Sequence, residues 1–298
     1  MRRFLISWIG FFVLLSPAVC VSESTSRDSF QWEGTKITEF VGKETEVVIP
    51  DGTTVIGEYA FAGSESLKSV VIPGSVTEIE ECAFDECENL SSIVIPESVT
   101  EIGECAFRGC ESLKSVVIPK NVTVIGDGAF IGCSSLTSFT IPEKVTVIED
   151  SVFMECTSLK SVTIPEGVTR IEGCAFQECE SLTSIVIPKG VEEIDYWTFK
   201  DCKALKTVVI PESVKEIGGG AFEGCVSLTS IVIPEGVEML DSGLFKGCKA
   251  LKTVVVPGSV EDIFDDTFEG CPNVTIHAPA GSEAEKFAKE KKIPFQAK

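Results

Sequence analysis

Residues 73–95, PGSVTEIEECAFDECENLSSIVI, decide the fold of this chain, because their pattern recurs every 23 residues. Proline recurs at this interval from Pro50 to Pro257, and phenylalanine recurs at it from Phe61 to Phe268. A fixed period of this length is typical of solenoids, in which each unit buries its apolar side chains against the neighbouring units. We call one unit of the predicted stack a rung, and the residues that share one position of the repeat a column.

The end of each unit has the spacing of a short β-strand. Leu90, Ile93 and Ile95 end in apolar alternation, and the residues between them include Ser92 and Val94. Successive side chains of a strand point to opposite faces, so Ser92 and Val94 are expected to point away from the core. Stacked rungs would place these strands side by side.

The rest of the unit is read from its apolar residues as well. Phe84, Cys87 and Leu90 recur every three residues, which favours a single helical or 3₁₀ turn. Val76 and Ile79 fit either a second short strand or an extended loop. No unit can bury this apolar set alone, so stability must come from stacking.

The repeat P-x-x-V-x-x-I-x-x-x-A-F-x-x-C-x-x-L-x-x-V-x-I resembles the leucine-rich repeats of the BspA-like, or Treponema-type, class. The resemblance covers nearly all of the chain after residue 30. It implies a repeat solenoid of the leucine-rich-repeat (BspA-like) fold: β-rich and right-handed, with short 3₁₀ or α turns on the convex side and a C-terminal capping helix.

The two ends of the array also resemble the caps of that class. Trp32 to Pro50 resembles a divergent first unit, and Val274 to Phe295 resembles a closing strand–helix–strand cap. Ser282 and Glu285 form a capping box at the start of the expected helix, and Phe287 and Ala288 would face the last rung. We therefore divide the chain into a signal peptide (1–20), a polar linker (21–29), an N-terminal cap (30–50), the repeats (51–273) and a C-terminal cap (274–298).

The first twenty residues have the pattern of an export signal. Arg2 and Arg3 precede an apolar run from Phe4 to Leu15, which is too short to span a membrane. Plain export is the preferred interpretation. The alternative is that Cys20 is lipidated and residues 21–29 tether the protein to a membrane. Either way, the protein is expected to be exported and to be periplasmic, secreted or on the cell surface.

Composition excludes several classes of function. The chain has 46 acidic and 25 basic residues, a formal charge of −21, which opposes binding to nucleic acid and to anionic lipid. A membrane is therefore expected to be reached only through a lipid anchor. The single histidine, His277, leaves no imidazole within the repeats for catalysis or for a zinc site. We expect no enzyme activity, no cofactor and no metal site.

Nine cysteines form one column, three residues after the repeat phenylalanine, from Cys87 to Cys271. Ser64 occupies this position in the first unit, which indicates a small buried side chain that satisfies a backbone group. Pairing between stacked neighbours stays open, because they could come close enough to form disulfides. Cys82, Cys105 and Cys174 form a second, smaller set.

The outward side of the predicted strands is the candidate binding surface. It combines a hydroxyl column (Ser115, Ser138, Ser161, Ser184 and Thr207) with a β-branched column (Val117, Thr140, Thr163, Val186 and Val209) and with lysines in every second rung (Lys114, Lys160 and Lys206). One interpretation is plain strand propensity. The other is a flat, mildly apolar face rimmed by lysines that binds a protein. The alternation of lysine doubles the period to 46 residues.

Tyr196 and Trp197 interrupt a column that is mostly acidic or small. Adjacent exposed aromatic residues can anchor a partner, which makes this pair a possible hot spot. The alternative is that both rings fold back over a neighbouring rung.

The resemblance to the BspA-like class implies an exported cell-surface or secreted protein that acts in adhesion and virulence. The implied partners are extracellular-matrix proteins such as fibronectin and fibrinogen, or host cells. The alternative from a different class is a structural envelope scaffold that associates with itself or with other envelope proteins. The oligomeric state stays open.

Overall fold

The computed structural model describes residues 24–298 and is a β-solenoid of about 11 turns, with about 23 residues per turn and one C-terminal helix. The predicted repeat solenoid is therefore confirmed. The predicted signal peptide, the lipidation candidate Cys20 and the start of the predicted linker lie outside the described residues.

All but one of the repeats contribute two short strands, one of three residues and one of two. We call the longer set the face strands: Glu46–Val48, Ser69–Val71, Ser92–Val94, Ser138–Thr140, Ser161–Thr163, Ser184–Val186, Thr207–Val209, Ser230–Val232 and Thr253–Val255. They are parallel, and where neighbouring strands pair, each residue faces the residue 23 positions further on, as Ser138 does Ser161. Their middle residues are mostly buried and their outer residues mostly exposed, so the predicted alternation is confirmed.

The second set, which we call the back strands, includes Ile79, whereas Val76 lies in the extended segment before its strand. Each of the two interpretations therefore holds for one of these residues. The back strands are Val55–Ile56, Glu78–Ile79, Glu101–Ile102, Val124–Ile125, Val147–Ile148, Arg170–Ile171, Glu193–Ile194, Glu216–Ile217, Met239–Leu240 and Asp262–Ile263. They also pair in parallel, again with a register of 23 residues.

The segments that lead from back strands to face strands contain the predicted turns as separate single turns. These turns are closed by hydrogen bonds of 3₁₀ spacing, such as Asp85 N to Cys82 O (3.0 Å) and Leu90 N to Cys87 O (2.9 Å). A left-handed residue interrupts each would-be helix, in a column made of Gly63, Glu86, Gly109, Gly132, Glu155, Glu178, Asp201, Gly224, Gly247 and Gly270. A residue with positive φ cannot continue a right-handed helix, so no helix forms in these segments of the described repeats.

The core is a ladder of phenylalanine rings. Neighbouring rings from Phe61 to Phe268 stack with centroids 4.8–6.0 Å apart and planes 2–20° from parallel. All ten rings are buried. Because each ring contacts the ring before it and the ring after it, the core is continuous along the whole stack.

The main cysteine column lies beside this ladder. The nine thiols each donate a hydrogen bond to a phenylalanine carbonyl oxygen one rung earlier, at 3.0–3.3 Å. Burial raises the pKa of the Cys87 thiol to about 12. All twelve cysteines of residues 24–298 are free thiols. The predicted role of this column, a small side chain that satisfies a backbone group, is confirmed.

Both ends of the stack are closed by elements of different geometry. At the start, a 3₁₀ helix, Arg27–Ser29, leads into an antiparallel hairpin of Phe30–Glu33 with Lys36–Phe40. At the end, strand Thr275–Ala278 is followed by helix Glu283–Lys291 and strand Phe295–Ala297. The Phe40 ring stacks on Phe61 at 5.1 Å, which continues the core ladder into the hairpin.

The C-terminal helix begins at the predicted capping box. The Ser282 Oγ accepts from the Glu285 N–H at 3.3 Å, and the Glu285 carboxylate accepts from the Gly281 N–H at 2.6 Å. Phe287 and Ala288 are buried, and the Phe287 ring lies 6.0 Å from that of Phe268. The helix therefore covers the last rung, as the sequence predicts.

Both sheets are interrupted near the middle of the stack. Residues 115–117 form no strand, and the back strands do not pair across the gap from Val124–Ile125 to Val147–Ile148. Phe139 lies next to this gap, in a column that otherwise holds valine or isoleucine, and its ring is edge-on to Phe130 (5.1 Å) and Phe153 (4.7 Å). Those two rings are 6.0 Å apart, the widest step of the ladder. Phe139 thus accompanies the widest step of the ladder. Back-strand pairing also stops between Glu216–Ile217 and Met239–Leu240, where the same column holds isoleucine.

The face strands after the interruption pair two by two. Ser138–Thr140 pairs with Ser161–Thr163, Ser184–Val186 with Thr207–Val209, and Ser230–Val232 with Thr253–Val255. In each case a rung whose strand follows a threonine pairs with a rung whose strand follows a lysine. The 46-residue period in the sequence thus matches the pairing of these six strands, and Thr253–Val255 pairs in addition with Thr275–Ala278 of the C-terminal cap.

The strand face as candidate functional site

The exposed side of the face strands, which we call the strand face, carries the predicted hydroxyl and β-branched columns. All ten predicted members of the two columns, from Ser115 to Val209, are exposed. The valines are the most exposed apolar residues of the repeats: Val117 is 82% exposed, Val186 70% and Val209 64%. Val94 and Val232 extend the stripe in both directions. Such a stripe is unusual on a soluble protein that has no partner.

Lysines border one side of this stripe. Lys114, Lys160 and Lys206 are exposed, as are Lys68 and Lys252 in the same column. Four of them directly precede a face strand, and Lys114 holds the same position before residues 115–117, so these five lysines, the lysine edge, lie on the side where the parallel strands begin. Within residues 24–298 none of them lies within 4.0 Å of a carboxylate. With rungs roughly 4.8 Å apart, successive lysines are roughly 10 Å apart.

Glutamates border the other side, which the sequence analysis did not identify. They follow the repeat proline and form the glutamate edge: Glu97, Glu143, Glu166, Glu212 and Glu235. All five are exposed and have no cationic partner within residues 24–298. Lys120 and Lys189 occupy the same column in two rungs. The recurrence of glutamate directly after the repeat proline is the sequence pattern from which this edge could have been predicted.

Two grooves lie between the valine stripe and the glutamate edge. One, of about 480 Å³, is lined by Val186, Val209, Ile210 and Pro211, with Glu166 and Glu212 at its margin. The other, of about 440 Å³, is lined by Val117, Phe139 and Thr140 and by Lys120 and Glu143. The second groove lies beside the sheet interruption. Both combine an apolar floor with charged margins, which is typical of a protein-binding surface.

Tyr196 and Trp197 lie elsewhere, on the turn that follows a back strand. The Tyr196 hydroxyl donates to Asp150 Oδ2 at 3.1 Å, and its ring covers Gly173, where an added Cβ would lie 2.5 Å from the ring. Trp197 covers Gly220 in the same manner, with an added Cβ 2.4 Å from the indole. These contacts favour the interpretation in which both rings fold over neighbouring rungs. The hot-spot role stays a prediction.

The remaining three cysteines of residues 24–298 lie in other rungs, each on the turn equivalent to that of Trp197. Cys82, Cys105 and Cys174 share its column and its left-handed backbone, with φ of 51–54°. Burial raises the pKa of the Cys105 thiol to about 11. A thiol with a raised pKa is a weak nucleophile at neutral pH, so these residues have no sign of catalytic activation.

We call the surface formed by the turns that follow the back strands the turn side. Its charged side chains form ion pairs between neighbouring rungs. Arg108 donates two hydrogen bonds to the buried Asp85, at 2.7 and 2.6 Å. In the same column Lys246 Nζ lies 2.8 Å from Glu269 Oε2. The 23-residue period therefore places opposite charges in adjacent rungs here, in contrast to the strand face.

Two further properties concern metals and membranes. Within residues 24–298 no group of three or more histidine, cysteine, aspartate or glutamate side chains is arranged to hold a metal ion. Over the same residues, no helix has both the length and the apolar character required to cross a membrane.

Comparisons with known proteins identify the family. The family profile described as BspA type leucine rich repeat region, with six copies, matches residues 39–160 and 146–275. No curated protein matches the chain.

Several solved structures are similar. A leucine rich repeat protein of T. pallidum is 32% identical, with a TM-score of 0.53 and coverage of 69% of this chain and 91% of that chain. A leucine rich cell surface protein of Faecalibacterium prausnitzii is 28% identical, with a TM-score of 0.49 and coverage of 88% and 93%. The pneumococcal vaccine antigen PcpA is 20% identical, with a TM-score of 0.49 and coverage of 85% and 79%. The profile match and the T. pallidum likeness together show that this chain belongs to the family of BspA-type leucine-rich-repeat proteins.

Proposed function

We propose that this chain is an exported surface protein that binds a protein partner through its strand face, and that its role is adhesion to host cells or extracellular-matrix proteins such as fibronectin or fibrinogen. The observation that supports this most is the exposed valine stripe, from Val94 to Val232, beside lysines that have no partner within the described chain. The leucine-rich-repeat fold is typical of protein-binding scaffolds.

The proposed contact follows from the three columns. Apolar side chains of the partner pack on Val117, Val186 and Val209, while its carboxylates meet Lys114, Lys160 and Lys206. Burial of the valines supplies affinity, and the lysines supply orientation and association rate. The hydroxyl column between them offers hydrogen bonds to the partner backbone.

The test is binding of the purified protein to immobilised fibronectin, fibrinogen and epithelial cells, beside a variant with Val117→Lys, Val186→Lys and Val209→Lys. We expect saturable binding by the native protein and a loss of at least about tenfold in affinity for the triple variant, since three buried contacts become buried charges. Its melting curve should match that of the native protein, because all three side chains are exposed.

A matched control separates added charge from lost contact. Val124→Lys, Thr169→Lys and Met239→Lys add the same three charges at exposed positions on or next to the back strands. This variant should bind as the native protein does. Equal binding by the strand-face variant would reject this face, and absence of binding to all three targets would reject adhesion to them.

Export and anchoring form a separate part of the proposal. It is supported by the charged and apolar pattern of residues 2–15 and by Cys20 after it. Mass spectrometry of the protein isolated from its native cells should find the first twenty or so residues removed. A fatty-acyl mass on Cys20 would establish the tethered form, and an unmodified start near Ser22 would establish plain export. An intact Met1 would contradict both.

A further inference from the structure

We propose that two copies of this chain associate through their strand faces, with the lysine edge of each copy against the glutamate edge of the other. This self-association requires no external ligand, and it competes with a protein partner because both use the strand face. The argument uses the distribution of charge on the strand face, the position of the valines and the symmetry that a pair of identical chains can adopt.

The strand face has opposite charges on its two sides. In one rung Lys160 directly precedes strand Ser161–Thr163, and Glu166 follows it three residues later. Lys206 and Glu212 flank Thr207–Val209 in the same way. Because all face strands are parallel, the lysines share one side and the glutamates share the other. None of these four side chains has an oppositely charged partner within residues 24–298.

Such a face is complementary to itself in one orientation. Two strand faces that pack on each other can be related by a two-fold axis along the solenoid axis or by one along the strands. An axis along the strands would place lysine on lysine. An axis along the solenoid places each lysine edge over the partner's glutamate edge and packs valine on valine. Like-charge contacts across an interface are costly, so the second arrangement is the one that the charges allow.

The charges also determine which rungs meet. With the axis along the solenoid each rung faces its own copy, so Lys160 meets the second copy's Glu166 and Lys206 meets its Glu212. In the rung of Lys114 the corresponding position is Lys120, and the contact there is repulsive. Between Glu166 and Glu212 the same column holds Lys189, which meets the uncharged Thr183 of its own rung. The favourable contact therefore lies in the C-terminal half of the face.

A run of exposed valines lies in the same half. Val186, Val209 and Val232 occupy three consecutive rungs, and all three are more than half exposed. Val186 and Val209 line the groove of about 480 Å³, which also has Glu166, Lys189 and Glu212 in its lining. Thr140 and Thr163 separate these valines from Val94 and Val117, which lie nearer the repulsive position of Lys120. The C-terminal half therefore offers both apolar burial and charge pairing, which is the arrangement expected of a specific interface with a hydrophobic centre and a polar rim.

The experiment is charge reversal with rescue, read by sedimentation velocity of the purified protein over a range of concentrations. One variant carries Lys160→Glu and Lys206→Glu, and the other carries Glu166→Lys and Glu212→Lys. We expect the native protein to form a dimer and each variant alone to stay monomeric at about ten times the native midpoint concentration. An equal mixture of the two variants should again form dimers, because each then presents the charge that the other lacks.

Two further proteins keep the test falsifiable. A chain that carries all four reversals should dimerise with itself, which also shows that the substitutions leave the fold intact. Lys215→Glu with Lys246→Glu changes the net charge by the same amount away from the strand face, and it should dimerise as the native protein does.

Three outcomes would overturn the proposal. These are a native protein that is monomeric up to about 100 µM, reversal variants that dimerise as well as the native protein, and a mixture of variants that stays monomeric. None of them bears on adhesion, since a monomer would leave the strand face free for a partner. Conversely, failure to bind matrix proteins leaves the sedimentation result unchanged.

Discussion

The turn side and the strand face of this solenoid use the same 23-residue period to opposite effect. On the turn side, Asp85 pairs with Arg108, and Lys246 with Glu269, one rung apart in each case. On the strand face, the period aligns valine with valine, and every second rung aligns lysine with lysine. Side chains of opposite charge in adjacent rungs form ion pairs, whereas aligned lysines cannot pair with one another and aligned valines stay exposed to solvent. The solenoid is therefore self-sufficient on one side and open to a partner on the other.

The largest test of this difference compares the core with the strand face. Phe176 is fully buried and stacks on Phe153 and Phe199 at 5.5 Å on both sides, so Phe176→Ala should cost about 3–5 kcal/mol in free energy of unfolding. Val186→Ala, at an exposed position of the strand face, should change this free energy by less than about 0.5 kcal/mol. Urea unfolding of monomeric protein measures both. Similar losses would show that the valine stripe is part of the folded core.

A smaller effect on stability is expected when a paired charge of the turn side, Arg108, is compared with an unpaired charge of the strand face, Lys160. Arg108→Ala leaves the buried Asp85 without its two charge-assisted hydrogen bonds. Because the Arg108 side chain is itself 43% exposed, water compensates in part, and we expect a loss of about 1–2 kcal/mol. Lys160→Ala, which removes an unpaired charge, should be close to neutral. Urea unfolding of monomeric protein measures both variants. Equal losses of unfolding free energy for Arg108→Ala and Lys160→Ala would contradict the distinction between paired turn-side charges and unpaired strand-face charges.

The smallest effect concerns the two tyrosines of the chain, Tyr59 and Tyr196, both on the turn side. A hydrogen bond to Asp150 raises the pKa of Tyr196 to about 12, and one to Cys82 raises that of Tyr59 to about 12. A raised folded-state pKa stabilises the fold below the unfolded pKa, near 10, and this contribution disappears as pH rises from about 10 to about 12.

Ultraviolet titration of tyrosinate reads these groups directly. The folded protein should ionise with a midpoint near 12, and the unfolded chain near 10. Asp150→Asn should lower the midpoint of one tyrosine and leave the other, which separates the two. A native midpoint near 10 for both would show that the turn-side contacts do not persist in solution.

The parts of the fold that sequence predicts are those that repeat. The alternation at Leu90, Ile93 and Ile95 was sufficient to predict the face strands. The presence of Ser64 in place of cysteine was sufficient to predict a buried column that hydrogen-bonds to the backbone. The position of Ser282 likewise predicted where the C-terminal helix begins. In each case the physical cause is local or acts between identical positions, so one unit contains the information for all.

The parts that were not predicted depend on contacts between different columns or on single departures from the repeat. The left-handed backbone at Glu86 keeps the predicted turns from joining into a helix, and glycine at Gly109 and Gly132 in the same column was a signal for it. The edge-on contacts of Phe139 with Phe130 and Phe153 depend on residues of a different column. The glutamate edge can be recognised as the counterpart of the lysine edge only when the structure places Glu166 and Lys160 on opposite sides of one strand.

The two-rung period has a consequence for how such a chain can change over generations. Lys200 with Glu223 and Lys246 with Glu269 are copies of one pair, 46 residues apart, and the strands that they accompany also pair in twos. Recombination between copies of a 46-residue segment would lengthen or shorten the protein by roughly 10 Å and would still join matching ends. Gene length can therefore drift in steps of two rungs while every remaining contact is inherited intact.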